Sequence, residues 1–276
     1  METEMKYNIY LNDGHSIPVL GLGTYKQNIS NLKNILHSSV NAGYRLIDTA
    51  SVYNNQKIIG EFIKESGINR EELYLTSKVW NDQHENVSSS LESTLDELQT
   101  DYIDLFLIHW PASKGGNFIK AWEDLIQLRK KGVIRSIGVS NFSTRQIKLL
   151  INLTGEAPAI NQVEIHLRNQ QKELISDMSA MGIIVQSWSP LWTGNLTARE
   201  KTSLARMAHE HGKSIAQITL GWHIRNNLCA VPKTSKIDRL FENMDIFNIT
   251  FTEADELFLS SLNRDRKIME YPDDYI

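Results

Sequence analysis

Several short apolar runs in this chain stop on a residue able to do chemistry. Leu46-Ile47 runs into Asp48, Leu75-Thr76-Ser77 into Lys78, and Leu107-Ile108 into His109. Val139 runs into Ser140-Asn141, Ile160 into Asn161-Gln162, and Val185 into Gln186-Ser187. A carboxylate, an ammonium, an imidazole, hydroxyls and amides are the parts needed to move protons and hold polar ligands. Singly, each has an ordinary explanation. An Asp after a strand is a turn or cap residue, a Lys there is solvated, and a lone His is a satisfied structural group. Together, so many polar strand ends point to one shared site, if the fold gathers those ends at a common rim.

Spacing argues against several other chemistries. Gly21-Leu22-Gly23 begins like a dinucleotide fingerprint, but Lys26 stands where the last glycine is needed. Gly212-Lys213-Ser214 ends like a phosphate loop, but Met207 replaces its first glycine. Gly138-Val139-Ser140-Asn141-Phe142 lacks the final glycine of a nucleophile elbow. His209 and His211 diverge on a helix and cannot share a zinc ion, so they read as a polar helix end before Gly212. Glu164 and His166 fall on one face of a strand, but the sequence supplies no further ligands for a metal there. No metal site is expected.

The elements that must position these residues follow from periodicity. Apolar runs recur at residues 19–23, 45–49, 73–78, 103–109, 133–140, 157–164, 183–187 and 228–232. Amphipathic stretches lie between them: Val87, Leu91, Leu95 and Leu98 share one helical face, as do Phe118, Trp122, Leu125 and Leu128, and Leu204, Met207, Ala208 and His211. Asn86 is placed to cap the first of these helices. Alternating strands and helices mean a parallel sheet, because parallel neighbours need a crossover. Roughly eight such units predict an α/β fold of the (β/α)8 TIM-barrel type, with a doubly wound open sheet as the alternative. Residues 7–11 and 15–17 around Asn12-Asp13-Gly14 read as an N-terminal β-hairpin, well placed to plug the barrel floor. Thr252-Glu253-Ala254-Asp255 opens a last helix through Leu262 with a variant capping box.

Composition agrees with one large domain spanning residues 1–276. Apolar residues are 41% and charged residues 22% of the 276, enough for a sizeable core. A net charge of −4 lacks the basic excess of a nucleic-acid or membrane-surface binder, so neither partner is expected. Cys229 is the only cysteine, which excludes an internal disulfide. The first residues are charged, without the apolar region of a signal peptide, and no run of about 18 apolar residues predicts a membrane span. The cytoplasm is the expected compartment, and the sequons at Asn28, Asn86, Asn141, Asn152, Asn195 and Asn248 read as chance matches.

Taken in order, these motifs closely resemble the aldo-keto reductases over essentially the whole chain. The resemblance is carried by Leu11-Asn12-Asp13-Gly14, Gly21-Leu22-Gly23-Thr24-Tyr25, and residues 43–50 with Tyr53. It continues through Ser77-Lys78-Val79-Trp80, residues 104–111, Ile137-Gly138-Val139-Ser140-Asn141-Phe142 and Asn161-Gln162-Val163-Glu164. Trp188-Ser189-Pro190-Leu191 and Val231-Pro232-Lys233-Thr234, with Arg239, Glu242 and Asn243, complete it. Trp188 and the short tail look most like the bacterial 2,5-diketo-D-gluconate reductase branch.

The resemblance implies NADPH-dependent reduction of aldehydes, α-keto or diketo carbonyls on a barrel rim. It implies a catalytic tetrad of Asp48, Tyr53, Lys78 and His109. Tyr53 would protonate the carbonyl oxygen, Lys78 would lower the tyrosine's pKa, Asp48 would hold Lys78, and His109 would orient the carbonyl. Trp188 would stack on the nicotinamide, with Ser140, Asn141 and Gln162 on its carboxamide. Gly23, Thr24 and Tyr25 would line the cofactor cleft, and Ser189 and Leu191 the pyrophosphate. Lys233, Thr234, Ser235 and Arg239 would meet the 2′-phosphate, which favours NADPH over NADH, with Glu242 and Asn243 near the adenine. Substrate would touch Tyr25, Trp80, His109 and Trp110. The short loop at Gly115-Gly116 and the short tail predict an open pocket, and the family default is a monomer. The chain departs from the family pattern at Asn54-Asn55-Gln56, at Leu167 and at Gly221. The alternatives are an NADPH-sensing protein with little turnover, which cofactor oxidation with an aldehyde would exclude, and a metal hydrolase using Asp48 and His109, which chelator-insensitive activity would exclude.

Overall fold

The computed structural model describes residues 7–112, 114, 117–268, 270 and 271. Eight parallel strands pair in chain order: β3 (Gly21–Gly23), β4 (Leu46–Asp48), β5 (Tyr74–Val79), β6 (Ile103–Ile108), β7 (Ile134–Ser140), β8 (Ile160–Glu164), β9 (Ile184–Trp188) and β10 (Cys229–Val231). The Leu20–Ala230 bridge, with Ala230 N–H donating to Val19 O at 2.8 Å, brings the last strand against the first. The result is the (β/α)8 barrel, and the open sheet is set aside. Helices fill the crossovers: α1 (Ile29–Asn41), α2 (Gln56–Glu65), α3 (Val87–Leu98), α4 (Phe118–Lys130), α5 (Thr144–Thr154), α6 (Lys172–Ala180), α7 (Ala198–Glu210), α8 (Ile215–Arg225), α9 (Ile237–Met244) and α10 (Glu253–Ser261).

The helical stripes face inward as their spacing predicts. Phe118, Trp122, Leu125 and Leu128 are buried in the main core, with Val87, Leu91, Leu98, Leu204 and Met207. Capping boxes at Ser143, Thr197, Ser214 and Thr252 start α5, α7, α8 and α10. Asn86 is a correction. It precedes α3, but at ψ 38° its backbone leaves the extended conformation that aims a capping side chain, and that side chain caps nothing. His211 ends α7, its Nε2 3.1 Å from Asp255 Oδ2.

The N-terminal hairpin joins β1 (Asn8–Tyr10) to β2 (Ser16–Pro18) with Ile9 opposite Ile17. Gly14 takes a φ of 89°, which favours glycine, and Asp13 Oδ1 accepts from His15 N–H at 3.1 Å. Leu11 and Ile17 pack with inward-facing Leu46, Leu105, Leu107, Ile160, Cys229 and Val231. The hairpin therefore stoppers one end of the barrel, and ligands must use the other.

Candidate active site

Asp48 ends β4, Lys78 lies next to last in β5, and His109 follows β6, so neighbouring parallel strands deliver these groups to one rim. Lys78 is fully buried; its Nζ donates to Asp48 Oδ1 at 2.7 Å and to Thr49 O at 2.8 Å. Burial pulls the Lys78 pKa down against the attraction of Asp48, and the two close acceptors hold the ammonium in place. Tyr53 reaches the same spot from a 3-10 turn, Ser51–Tyr53. Its ring centroid lies 5.2 Å from Lys78 Nζ and 5.8 Å from the His109 ring.

The turn is pinned from both sides. Thr49 Oγ1 donates to Asn55 Oδ1 at 2.6 Å, Asn55 Nδ2 to Thr24 O at 3.1 Å, and Ser51 Oγ to Lys78 O at 3.2 Å. Asn54 ends the turn at φ 54°, a left-handed conformation that asparagine tolerates where the family usually carries glycine. Gln56, another departure, is buried and bridges Ser77 Oγ (2.5 Å) to Glu97 Oε2 (2.9 Å). Asn55 and Gln56 brace the loop from inside, whereas Asn54 is exposed. Gly221 lies inside α8, where an added Cβ would meet Ile249 at 3.0 Å.

The direction of the Tyr53 pKa corrects the expectation that Lys78 lowers it. Burial pushes the hydroxyl well above its usual value, helped by the negative charge of Asp48 and by Tyr25. Asp48 neutralises the lysine at short range, so desolvation wins and Tyr53 keeps its proton. Burial, then the Lys78 charge, holds His109 well below an ordinary histidine, so its imidazole is neutral.

A polar network ties the tetrad to the neighbouring strands. Gln162 Nε2 donates to Asp48 Oδ2 at 2.7 Å and to Gln186 Oε1 at 2.6 Å. Asn141, at φ 64°, donates from Nδ2 to His109 O and to Ser140 Oγ, each at 3.0 Å, and accepts from Trp188 Nε1 at 2.9 Å. Ser140 Oγ donates to Gln162 O at 2.8 Å. The amide donors of Gln162 and Asn141 are thus spent on protein. What remains is acceptor lone pairs on Gln162 Oε1 and Asn141 Oδ1, and these suit the N–H groups of a nicotinamide carboxamide.

Ser189, exposed at φ 51°, and half-buried Leu191 follow Trp188 directly. Gly23 N–H donates to Pro232 O at 3.0 Å, Thr24 is buried and Tyr25 is 54% exposed. Lys233, Ser235 and Arg239 are exposed after β10 and at the start of α9, and neither cation has an ion-pair partner among the described residues. Unpaired cations there fit a phosphate dianion. Thr234 Oγ1 instead closes a turn with Lys236 N–H at 3.1 Å. Glu242 already accepts from Ser214 Oγ, and Asn243 is only 1% exposed, so both are engaged inside the protein.

Aromatic rings line the mouth. Tyr25 lies 4.9 Å from Tyr53, and Trp80 lies 4.9 Å from His109, between ring centroids. The tail corrects the expectation of an open pocket. Tyr271 comes within 4.7 Å of the Trp110 ring and 6.1 Å of the Trp188 ring, so the chain after α10 supplies a wall. Gly115 and Gly116, the basis of the short-loop expectation, lie outside the described residues. Glu164, paired with His166 Nε2 at 2.9 Å, also bonds this tail. Asn55 and Tyr271 are absent from the sequence-derived site, and Gln186 figures there as a polar strand end without an assigned role. Gln186 ends an apolar run, which is a signal; nothing local marks Tyr271.

Known proteins share the sequence pattern and the fold of this chain. The family model described as aldo/keto reductase family matches residues 19–257. A glyoxal reductase of Bacillus subtilis (strain 168) is 39% identical over all of both chains. The methylglyoxal reductase DkgA of Yersinia pestis is 36% identical over 96% of each. Among solved structures, an aldo-keto reductase of Bombyx mori in complex with NADP superposes with a TM-score of 0.90, at 31% identity over 98% of each chain. By sequence along nearly its full length and by fold, the chain belongs to the aldo/keto reductase family, and it is an NADPH-dependent oxidoreductase that reduces carbonyl groups.

Proposed function

We propose that this enzyme reduces small 2-oxoaldehydes of the glyoxal and methylglyoxal class, with Tyr53 as proton donor. The observation that carries the assignment of roles is the buried Lys78–Asp48 pair beneath the Tyr53 ring, beside a neutral His109. NADPH, when bound, supplies the hydride. A carbonyl carbon that receives hydride leaves negative charge on its oxygen, and Tyr53, kept protonated by burial, gives its proton to that oxygen. The phenolate left behind faces the Lys78 ammonium, which Asp48 and Thr49 O hold in place. Among the described residues His109 Nδ1 is buried with no hydrogen-bond partner. Placing its proton on Nε2 therefore buries only a lone pair and leaves Nε2–H to orient the carbonyl.

Trp188, Ser140, Asn141 and Gln162 hold the nicotinamide end in this reading. Gly23, Thr24, Tyr25, Ser189 and Leu191 line the middle of the cleft. Lys233, Ser235 and Arg239 take the 2′-phosphate; Thr234, Glu242 and Asn243 support that end from within. Tyr25, Trp80, His109 and Trp110 face the carbonyl substrate. The substrate class is supported by the names of the relatives, the glyoxal and methylglyoxal reductases. We also read the protein as a cytoplasmic monomer acting on a small molecule, with no nucleic-acid or membrane partner, in keeping with its mildly acidic charge. Cofactor oxidation tests the substrate: methylglyoxal and glyoxal should have the highest kcat/KM in a panel of simple aldehydes, ketones and sugars. A panel led by a ketone or a sugar would overturn the assignment.

A further inference from the structure

Glu164 ends β8 and is 1% exposed, yet the proton-transfer machinery makes no use of it. A carboxylate buried so deeply must be satisfied by donors, and here they come largely from the tail. Oε1 accepts from the backbone N–H of Ile268 at 2.6 Å and faces His166 Nε2 at 2.9 Å. Oε2 accepts from the Tyr271 hydroxyl. His166 Nδ1 accepts from Arg168 N–H at 3.2 Å, so the proton sits on Nε2 and points at the carboxylate. The tail is tied once more upstream, where Arg264 and Arg266 N–H donate to Arg168 O at 3.1 and 2.9 Å.

The strand register places this anchor beside the active site, since Glu164 pairs with Trp188 across β8 and β9. The Tyr271 ring then meets Trp110 edge-on at 4.7 Å and Trp188 at 6.1 Å, with Lys267 Nζ 4.6 Å from its centroid. We infer that Glu164 is a positioning residue for the substrate pocket: by bonding Ile268 and Tyr271 it seats the Tyr271 ring against Trp110 and Trp188, where that ring sets the size of carbonyl compound admitted. The inference rests on the carbonyl-reductase reading of the same rim. It assigns selectivity for compact dicarbonyls to a contact between residues 107 positions apart.

The test compares two probes with the same dicarbonyl and different bulk, methylglyoxal and phenylglyoxal, at saturating NADPH. Tyr271→Ala should raise KM for methylglyoxal about 5- to 20-fold with kcat within about 2-fold, as expected for lost binding rather than lost chemistry. It should also shift the kcat/KM ratio about 10-fold towards phenylglyoxal, the scale of a changed pocket wall. Tyr271→Phe and Glu164→Gln should each shift the ratio the same way by about 3-fold, and the double variant no further than the larger single effect. NADPH affinity by calorimetry should stay within about 2-fold in all, because the tail hydrogen-bonds none of the proposed cofactor ligands and its one ring contact with them, to Trp188, is the looser one at 6.1 Å. An unchanged ratio in Tyr271→Ala, additive effects in the double variant, or cofactor affinity falling in step would overturn the assignment. If Glu164→Gln fails to fold, Tyr271→Phe alone decides. A wild type that reduces neither probe would overturn the carbonyl reading too, whereas an active wild type with unmoved ratios sinks only the latch.

Discussion

At the stoppered end of the barrel, Leu11 and Ile17 pack among aliphatic side chains and Cys229, with Gly14 holding the hairpin turn. At the open end the same strands finish in Asp48, Lys78, Ser140 and Gln162, buried and bonded to one another. Asn141 and Ser189 sit there in the left-handed region, at φ 64° and 51°. One end gains free energy by excluding water from apolar surface; the other sustains desolvated charge and backbone strain. The difference shows how one sheet serves both ends: its interior registers the strands, and the free energy gained there tolerates a costly rim. Substitutions at the rim should therefore change rate or affinity, and those at the floor should change stability.

Tyr53→Phe should have the largest effect on rate. It keeps the ring and removes the proton, so kcat with methylglyoxal should fall at least about 10²-fold, the low end for a positioned general acid. Unfolding midpoint and NADPH affinity should barely move. Near wild-type turnover would pass the role of acid to His109 and break the assignment.

Ile17→Ala asks the reverse question. Ile17 is fully buried in the floor cluster. Truncation should cost about 2–5 kcal/mol in denaturant unfolding, the range for buried aliphatic deletions, with kcat little changed in the folded enzyme. A large loss of kcat at unaltered stability would show that the two ends are not separable.

Arg239→Ala sharpens the account of the rim's outer arc. Losing one charge-assisted contact to the 2′-phosphate should weaken NADPH by about 10- to 100-fold, roughly 1.5–3 kcal/mol, and leave NADH nearly unchanged. Titrating both cofactors checks it, and equal losses would remove the arginine from the phosphate site.

The smallest effect is a split in pH dependence. Burial lowers His84 and His223 to about 4, so the fold keeps both neutral while the unfolded chain takes up protons below the ordinary histidine value of 6.5. Stability should be full above about 6.5 and fall as pH drops towards 4. The rim histidine is also held well below its ordinary value, so kcat should show no inflection near 6.5 from His109. Denaturation and rate profiles measured side by side would separate the two.

Much of this was legible in the chain itself. The eight apolar runs became β3 to β10, and the spacing of Phe118, Trp122, Leu125 and Leu128 became the buried face of α4. These patterns are local: period two or 3.6 over about ten residues is dictated by side-chain direction alone. The polar strand ends were visible for the same reason, and parallel strands of one hand carry such ends to a single rim. The family motifs added the tetrad and the cofactor cleft. Asn86 was misleading because a cap depends on backbone angles that composition does not specify.

By itself, then, the sequence determined the order of elements, the barrel and the identity of the groups at its mouth. Tertiary structure alone decided how those groups behave. Gln162 meets Asp48 across 114 residues, and Tyr271 meets Glu164 across 107, so neither contact leaves a local periodic trace. Whether Tyr53 is held acidic or kept protonated turned on burial of its hydroxyl, reinforced by the nearby Asp48 charge and by Tyr25. That balance depends on distance and on excluded water, which exist only once the barrel closes.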